Sequence, residues 1–218
     1  MILAFLSLIL LPLQPRADYV EEKYVGDTYC LSQFSRLDQL KFHACRYLYS
    51  KSWGWIDLKH FTAAAELLAK NSKINRTKYM FYYAILAGES HEQNSNNKNE
   101  LGSVYSYEDL VSNFLGASFQ YLANNGWFKG LSFNQSLLSF FESFEISDEP
   151  QVDAPNFKSL DEPKKNKSYY PLFNTKKADA NHPIQKKLNE LRVDVTQKFN
   201  DNRDWRERTI IRLAPILN

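Results

Sequence analysis

The sequence is poor in glycine, in cysteine and in net charge, and each shortage excludes a class of protein. Only 7 glycines in 218 residues disfavour an all-β fold rich in turns and favour helices. The formal net charge of +2 is too small to indicate nucleic acid or an anionic membrane surface as a partner. Two cysteines are too few to form a zinc site by themselves.

The sequence also lacks an apolar run of the roughly 20 residues that a membrane-spanning helix needs. Residues 2–13 form an apolar run, interrupted by Ser7 and Pro12, that fits the hydrophobic region of a signal peptide. We therefore predict a signal peptide over residues 1–17, a periplasmic or secreted protein, and no transmembrane span in the mature chain. The alternative is an N-terminal segment that packs in the core or associates with a membrane.

The two cysteines, Cys30 and Cys45, are spaced for a disulfide in the oxidising compartment that a signal peptide implies. Such a bond closes a loop of about 15 residues and contributes on the order of 3 kcal/mol to stability. The alternative is a pair of buried free thiols.

Apolar residues recur at helical spacing along most of the chain. They predict a mainly α protein, a single helical domain of about six helices, with a core domain over residues 18–146. Residues 147–183 are rich in proline and lysine, which predicts an extended segment, and residues 184–218 form a C-terminal helix and tail packed on the core. The predicted helices cover residues 31–49, 57–70, 74–92, 106–124 and 131–146, and a sixth begins at Pro183 with His182 as its cap.

Three short segments, GWIDLKHF, GESHE and YSYEDLVSN, place histidines and carboxylates at the ends of predicted helices. In an antiparallel bundle with short connections, the start of helix 57–70, the end of helix 74–92 and the start of helix 106–124 meet at one end. The sequence therefore predicts one shared site. Its candidate side chains are Asp57, His60, Glu89, His91, Glu92, Glu108 and Asp109.

Imidazole together with carboxylates is the usual donor set for zinc and other divalent ions, and it also suits acid–base catalysis near neutral pH. We predict one bound divalent ion, with zinc as the first candidate. The predicted ligands are Asp57, His60, His91 and Glu108. Glu92 or Asp109 is the predicted general base, acting on a metal-bound water.

Each of these residues also has a purely structural interpretation. Asp57 suits a helix N-cap, and Glu108 and Asp109 suit the first turn of a helix. His60 lies beside an apolar stripe. The pattern therefore fits a hydrogen-bonded histidine at the edge of the core as well as it fits a metal ligand. The spacing is not that of the zincin motif, because position 95 is Ser rather than a second His.

The three segments resemble a bacterial family described as domain of unknown function 4056. The matching residues run from Gly54 to His60, include His91 and Glu92, and end with SYEDLVSNFLG at 106–116, the most specific match. The resemblance implies no established activity. It implies that one set of residues acts together: Asp57, His60, His91, Glu92, Glu108 and Asp109.

Three functions are compatible with these observations. The first is a metal-dependent hydrolase that acts on an envelope component. The second is a non-catalytic envelope protein, structural or binding, that contacts a protein partner through the 147–183 segment and its aromatic surface. The third is a lysozyme-like glycosidase in which Glu89 or Glu92 is the acid, and Glu108 or Asp109 is the second carboxylate.

Overall fold

The computed structural model describes residues 47–50, 52–70, 78–97, 107–144, 146 and 181–213. These ranges contain two strands and six helices, which confirms the predicted mainly α class. The strands are β1 (Tyr47–Ser50) and β2 (Gly54–Asp57), and the helices are α1 (Leu58–Lys70), α2 (Lys78–Asn97), α3 (Tyr107–Asn124), α4 (Phe133–Glu142), α5 (Pro183–Asp201) and α6 (Arg203–Leu213).

Several predictions fall outside the described residues. They concern the signal peptide over residues 1–17, the Cys30–Cys45 disulfide, most of the 31–49 helix and the extended segment up to residue 180. Among the helices that are described, none has the length and apolar character needed to cross a membrane.

β1 and β2 form an antiparallel hairpin in which Tyr47 pairs with Asp57. The predicted helix 31–49 is therefore wrong over its last residues, Tyr47–Tyr49. Gly54 has a φ of 72°, a conformation that glycine adopts readily and that lets the chain reverse here. All four residues of β2 are buried, so the alternation of polar and apolar residues that identifies a strand is missing from the sequence.

The helices bury the apolar stripes that the sequence predicts. α1 buries Phe61, Ala64, Ala65 and Leu68, and α5 buries Ile184, Leu188, Leu191, Val195 and Phe199. α2 is central, as predicted, with its residues from Phe81 to Ala87 buried apart from the half-buried Tyr83. Rings from α1, α3 and α4 pack together in the core: Phe61, Phe119, Phe140 and Phe141.

The start of α5 is fixed by polar contacts with the rest of the core. His182 caps the helix as predicted, since its Nδ1 accepts a hydrogen bond from the Ile184 backbone N–H at 3.3 Å. Gln185 is fully buried; it accepts a hydrogen bond from Trp53 Nε1 and donates one to Ser143 Oγ, each at 2.9 Å. These bonds hold α5 against the hairpin and the end of α4.

α3 packs closely on both α1 and α2 because a glycine lies at each contact. A Cβ atom at Gly116 would overlap the backbone carbonyl oxygen of Phe61 in α1. A Cβ atom at Gly88 in α2 would overlap the side-chain amide of Asn113 in α3. The first turns of α1 and α3 and the second half of α2 are thereby brought to one end of the bundle.

The Gly116→Ala variant is expected to lower the free energy of unfolding by about 1–3 kcal/mol, because the added methyl group overpacks the α1–α3 contact. The Gly88→Ala variant should cost less, because the Asn113 side chain can rotate away whereas the Phe61 carbonyl cannot. Alanine is favoured over glycine in a helix by about 1 kcal/mol, and this gain offsets a larger share of the cost at Gly88 than at Gly116. Urea denaturation compares the two variants, and equal costs would show that the Phe61 carbonyl does not limit this contact.

Candidate metal centre

Three of the predicted residues converge where the end of β2, the start of α1 and the start of α3 meet. Asp57, His60 and Asp109 each offer a ligand atom, and these atoms all lie within 4.8 Å of one another. Both aspartates are buried, whereas the His60 side chain keeps 15% of its surface exposed. The group could hold a metal ion that solvent reaches from the His60 side.

The two ring nitrogens of His60 face different carboxylates. Nε2 lies 3.5 Å from Asp109 Oδ1, and Nδ1 lies 3.8 Å from Glu92 Oε1. A carboxylate near the non-ligating nitrogen of a metal-bound histidine commonly fixes its tautomer and orientation. The arrangement therefore leaves Nε2 on the side of Asp109, where the two residues could share a metal ion.

Hydrogen bonds hold Asp57 in place and connect it to the helix that carries Asp109. Asp57 Oδ1 accepts a hydrogen bond from the Lys59 backbone N–H at 2.8 Å, which confirms the predicted N-cap of α1. Ser112 Oγ accepts a hydrogen bond from the Asp57 backbone N–H at 2.7 Å and donates one to the backbone carbonyl oxygen of Glu108. Ser112 thus ties the end of β2 to the first turn of α3, which carries Asp109. The positive ends of the α1 and α3 dipoles also stabilise carboxylates at these positions.

The charges around His60 raise its pKa above the ordinary value of 6.5. Burial lowers the pKa, and so does the nearby Lys59 ammonium, but the carboxylates of Asp109, Asp57 and Glu92 outweigh both. The three carboxylates therefore favour a positive charge at this position, either a proton on the ring or a cation bound beside it.

We expect His60 of the metal-free protein to titrate above pH 6.5 when its ring protons are followed by NMR. Because the folded pKa is above the unfolded value, protonated His60 stabilises the fold fully below about pH 6.5, and this contribution is lost as the pH rises through the folded pKa. His60→Gln should remove that pH dependence from the free energy of unfolding, and the control variant His182→Gln should keep it. A His60 pKa below 6.5 would show that burial outweighs the carboxylates.

Two predicted ligands, His91 and Glu108, lie beside the group of three rather than within it. His91 is exposed, and its ring centroid lies 6.2 Å from that of His60. Glu108 is buried in the first turn of α3 and precedes Asp109, which the sequence analysis had assigned to base catalysis. The structure therefore brings Asp57, His60, Glu92 and Asp109 together, with His91 on the solvent side.

Glu89 lies in a different environment from Glu92, although both belong to α2. Glu89 is fully buried and pairs with Arg206 of α6, whose Nε lies 3.3 Å from Glu89 Oε2 and whose terminal nitrogen bonds Oε1. Burial raises the pKa of the Glu89 carboxyl, and Arg206 opposes this rise. The neighbouring Ser90 donates a hydrogen bond to the Ile210 carbonyl oxygen at 3.0 Å. These contacts fasten α2 to α6, and the role of Glu89 as a glycosidase acid stays a prediction.

Two residues that position the site were not identified from the sequence. Arg206 is 117 positions from its partner Glu89, and no local spacing connects them. Ser112 lies within the SYEDLVSNFLG segment, one helical turn after Glu108. The family resemblance of this segment is the one feature of the sequence that includes Ser112. Its hydrogen bond to β2 depends on tertiary packing that the segment itself does not reveal.

No protein-family model, curated protein or solved structure matches this chain. The resemblance to domain of unknown function 4056 stays a prediction. The function is therefore inferred from the geometry of Asp57, His60 and Asp109 and of the residues around them.

Proposed function

We propose that this protein is a metal-dependent hydrolase whose single divalent ion is held by Asp57, His60 and Asp109. The proposal rests on one observation, the convergence of three ligand atoms within 4.8 Å from two separate parts of the chain. One imidazole and two carboxylates form a donor set that zinc accepts. Zinc is our first choice because it binds nitrogen and oxygen sites more tightly than manganese does.

An open coordination position supplies the chemistry. A zinc ion held by Asp57, His60 and Asp109 would keep one coordination position for water, whose pKa it would lower to about 7. With an ion bound, the site would supply a water activated for attack on the carbonyl or phosphoryl centre of a substrate. Water and substrate approach from the side of His60 that is exposed, where His91 also lies at the surface.

Glu92 acts in this proposal through His60 rather than on the water. Its carboxylate lies on the Nδ1 side of the ring, 3.8 Å away, and favours a proton on Nδ1. Nε2 then presents its lone pair to the metal ion. This role differs from the general-base role that the sequence predicts for Glu92.

The proposed substrate is an envelope polymer or one of its fragments. The support for this part is the apolar N-terminal run over residues 2–13 and the signal peptide that it predicts. Peptidoglycan, whose peptide amide bonds carry the carbonyl centres that this chemistry requires, is a suitable first substrate for assay.

Elemental analysis of untagged protein tests the metal site directly. After incubation with zinc and removal of the excess, we expect about one zinc ion per chain, as a single three-ligand site requires. His60→Ala should lose the ion, whereas His182→Gln, a histidine variant at the cap of α5, should keep it. His91→Ala should also keep the ion, because His91 lies outside the group of three.

An activity assay on purified peptidoglycan compares the zinc-loaded protein with the metal-free protein. Release of soluble fragments by the zinc-loaded form alone is the expected result. Stoichiometric zinc without any hydrolysis would make the ion structural and refute the hydrolase. Folded wild-type protein that takes up no zinc from the metal-free state would refute the metal site itself.

A further inference from the structure

Three exposed apolar side chains cluster at the turn that joins α3 to α4. Trp127, Leu131 and Phe133 are 42%, 45% and 40% exposed, respectively. Within the described residues only three other large apolar side chains are exposed, Tyr79, Val193 and Ile211, and they lie on other helices. Trp127 and Leu131 lie in the turn itself, and Phe133 is the first residue of α4.

The turn that carries this cluster is held in a defined shape. Gly126 and Gly130 have φ values of 83° and 87°, and the Trp127 backbone N–H bonds the Leu122 carbonyl oxygen at 3.1 Å, which closes the end of α3. Phe128 points inward and packs on Phe119, with ring centroids 5.5 Å apart. With Phe128 anchored in the core, its neighbour Trp127 projects into solvent.

The helices and turn that carry the cluster have almost no charge. From Leu110 to Phe141 the only charged residue is Lys129, at the centre of the turn and exposed. A protein surface that faces only water normally carries acidic and basic side chains together. Here a tryptophan, two further apolar side chains and a single lysine are exposed within residues 127–133.

We propose that the α3–α4 turn, residues 125–133, inserts into the interfacial region of a phospholipid bilayer. Tryptophan is enriched where the polar headgroups meet the acyl chains, because its ring is apolar and its N–H is a hydrogen-bond donor. Leu131 and Phe133 enter the same layer, and Lys129 binds a lipid phosphate. The net charge of +2 does not draw the whole chain to a membrane, so apolar insertion supplies most of the affinity and Lys129 adds a local attraction.

Quenching of Trp127 by brominated lipid tests this insertion in the full chain. The vesicles contain phosphatidylcholine and phosphatidylglycerol with bromine near the top of the acyl chains. We expect wild-type emission to fall on these vesicles and the Trp127→Phe variant to lose most of the quenchable emission. Trp53 and Trp55 are fully buried, and Trp205 is half-buried on another helix, so Trp127 dominates the signal.

A matched pair of variants separates insertion from other modes of binding. Leu131→Ser combined with Phe133→Ser should reduce the quenching of Trp127 roughly fivefold at fixed lipid, since it removes two apolar side chains proposed to enter the bilayer with Trp127. Ile211→Ser, an exposed apolar residue of α6, should leave quenching unchanged. Vesicle binding with no quenching of Trp127 would overturn the proposal, because another segment would then hold the membrane. Sedimentation without lipid that shows a dimer dispersed by the double substitution would also overturn it, in favour of a second copy of the chain.

Discussion

Replacing Asp109 with Asn should abolish tight zinc binding without unfolding the protein. Asp109 Oδ1 lies 3.5 Å from His60 Nε2, the nitrogen that faces the proposed ion, and its carboxylate is one of three ligands. The amide of asparagine carries no charge and is a far weaker ligand for zinc. Loss of a residue that only supports a ligand lowers metal affinity by up to roughly 100-fold. We expect the loss of the ligand Asp109 to lower the zinc affinity by more than that.

The same substitution should leave the metal-free protein nearly as stable as the wild type. The loss of a favourable carboxylate at the start of α3 costs about 0.3–1 kcal/mol. Removing one of several negative charges around His60 relieves repulsion and offsets that loss. Zinc at 100 times its dissociation constant adds about 2.7 kcal/mol of stability to the wild type, or roughly 5–10 °C in melting temperature. Asp109→Asn should show none of this increase.

Glu92→Gln is the informative comparison for Asp109→Asn. It preserves an oxygen near His60 Nδ1 but removes the charge, so zinc affinity should fall by only about 10- to 100-fold. Competition with a chromophoric chelator measures both affinities, with Asp194→Asn as a control, since Asp194 instead binds Lys78 and Tyr82. Unchanged affinity in Asp109→Asn would exclude Asp109 as a ligand. Unchanged affinity in Glu92→Gln would leave Glu92 available as a general base.

The sequence predicted the neighbourhood of the site better than its individual ligands. Asp57 and His60 are recognisable together because they lie three residues apart at a helix start. Glu108 and Asp109 are adjacent in α3 and therefore differ by about 100° around the helix axis, so only packing decides which one faces His60. That packing depends on the close approach permitted by Gly116 and Gly88, whose role becomes visible only when the neighbouring helices are known.

The hairpin shows a second limit of reading a sequence by periodicity. Leu48 fits the helical spacing of the preceding residues, and both Leu48 and Tyr49, which point to opposite faces of the hairpin, are buried. Neither a helical nor an alternating pattern then identifies the strand. The consequence for the site is direct, because β2 ends at Asp57 and its pairing with β1 sets the position of that carboxylate.

Arg206→Met is expected to be among the most destabilising single substitutions in the described part of the chain, at about 3–5 kcal/mol. The substitution leaves the Glu89 carboxylate fully buried without the guanidinium that now pairs with it. Arg208→Met, two residues later in α6 and at an exposed position, should change the free energy of unfolding by less than about 0.5 kcal/mol. Urea denaturation at pH 7 measures both variants.

The pH dependence of this loss identifies Glu89 as its cause. Burial already raises the pKa of the Glu89 carboxyl above 4.5, and removing Arg206 takes away the charge that opposes this rise. A group whose folded pKa exceeds its unfolded value costs stability as the pH rises from the unfolded value through the folded one. The deficit of Arg206→Met should therefore be smaller at pH 5 than at pH 8. Adding Glu89→Leu should recover most of the stability and remove the pH dependence, because no buried charge then remains. If the double variant stays as unstable as Arg206→Met at both pH values, packing of the Arg206 side chain against Phe199 accounts for the loss instead.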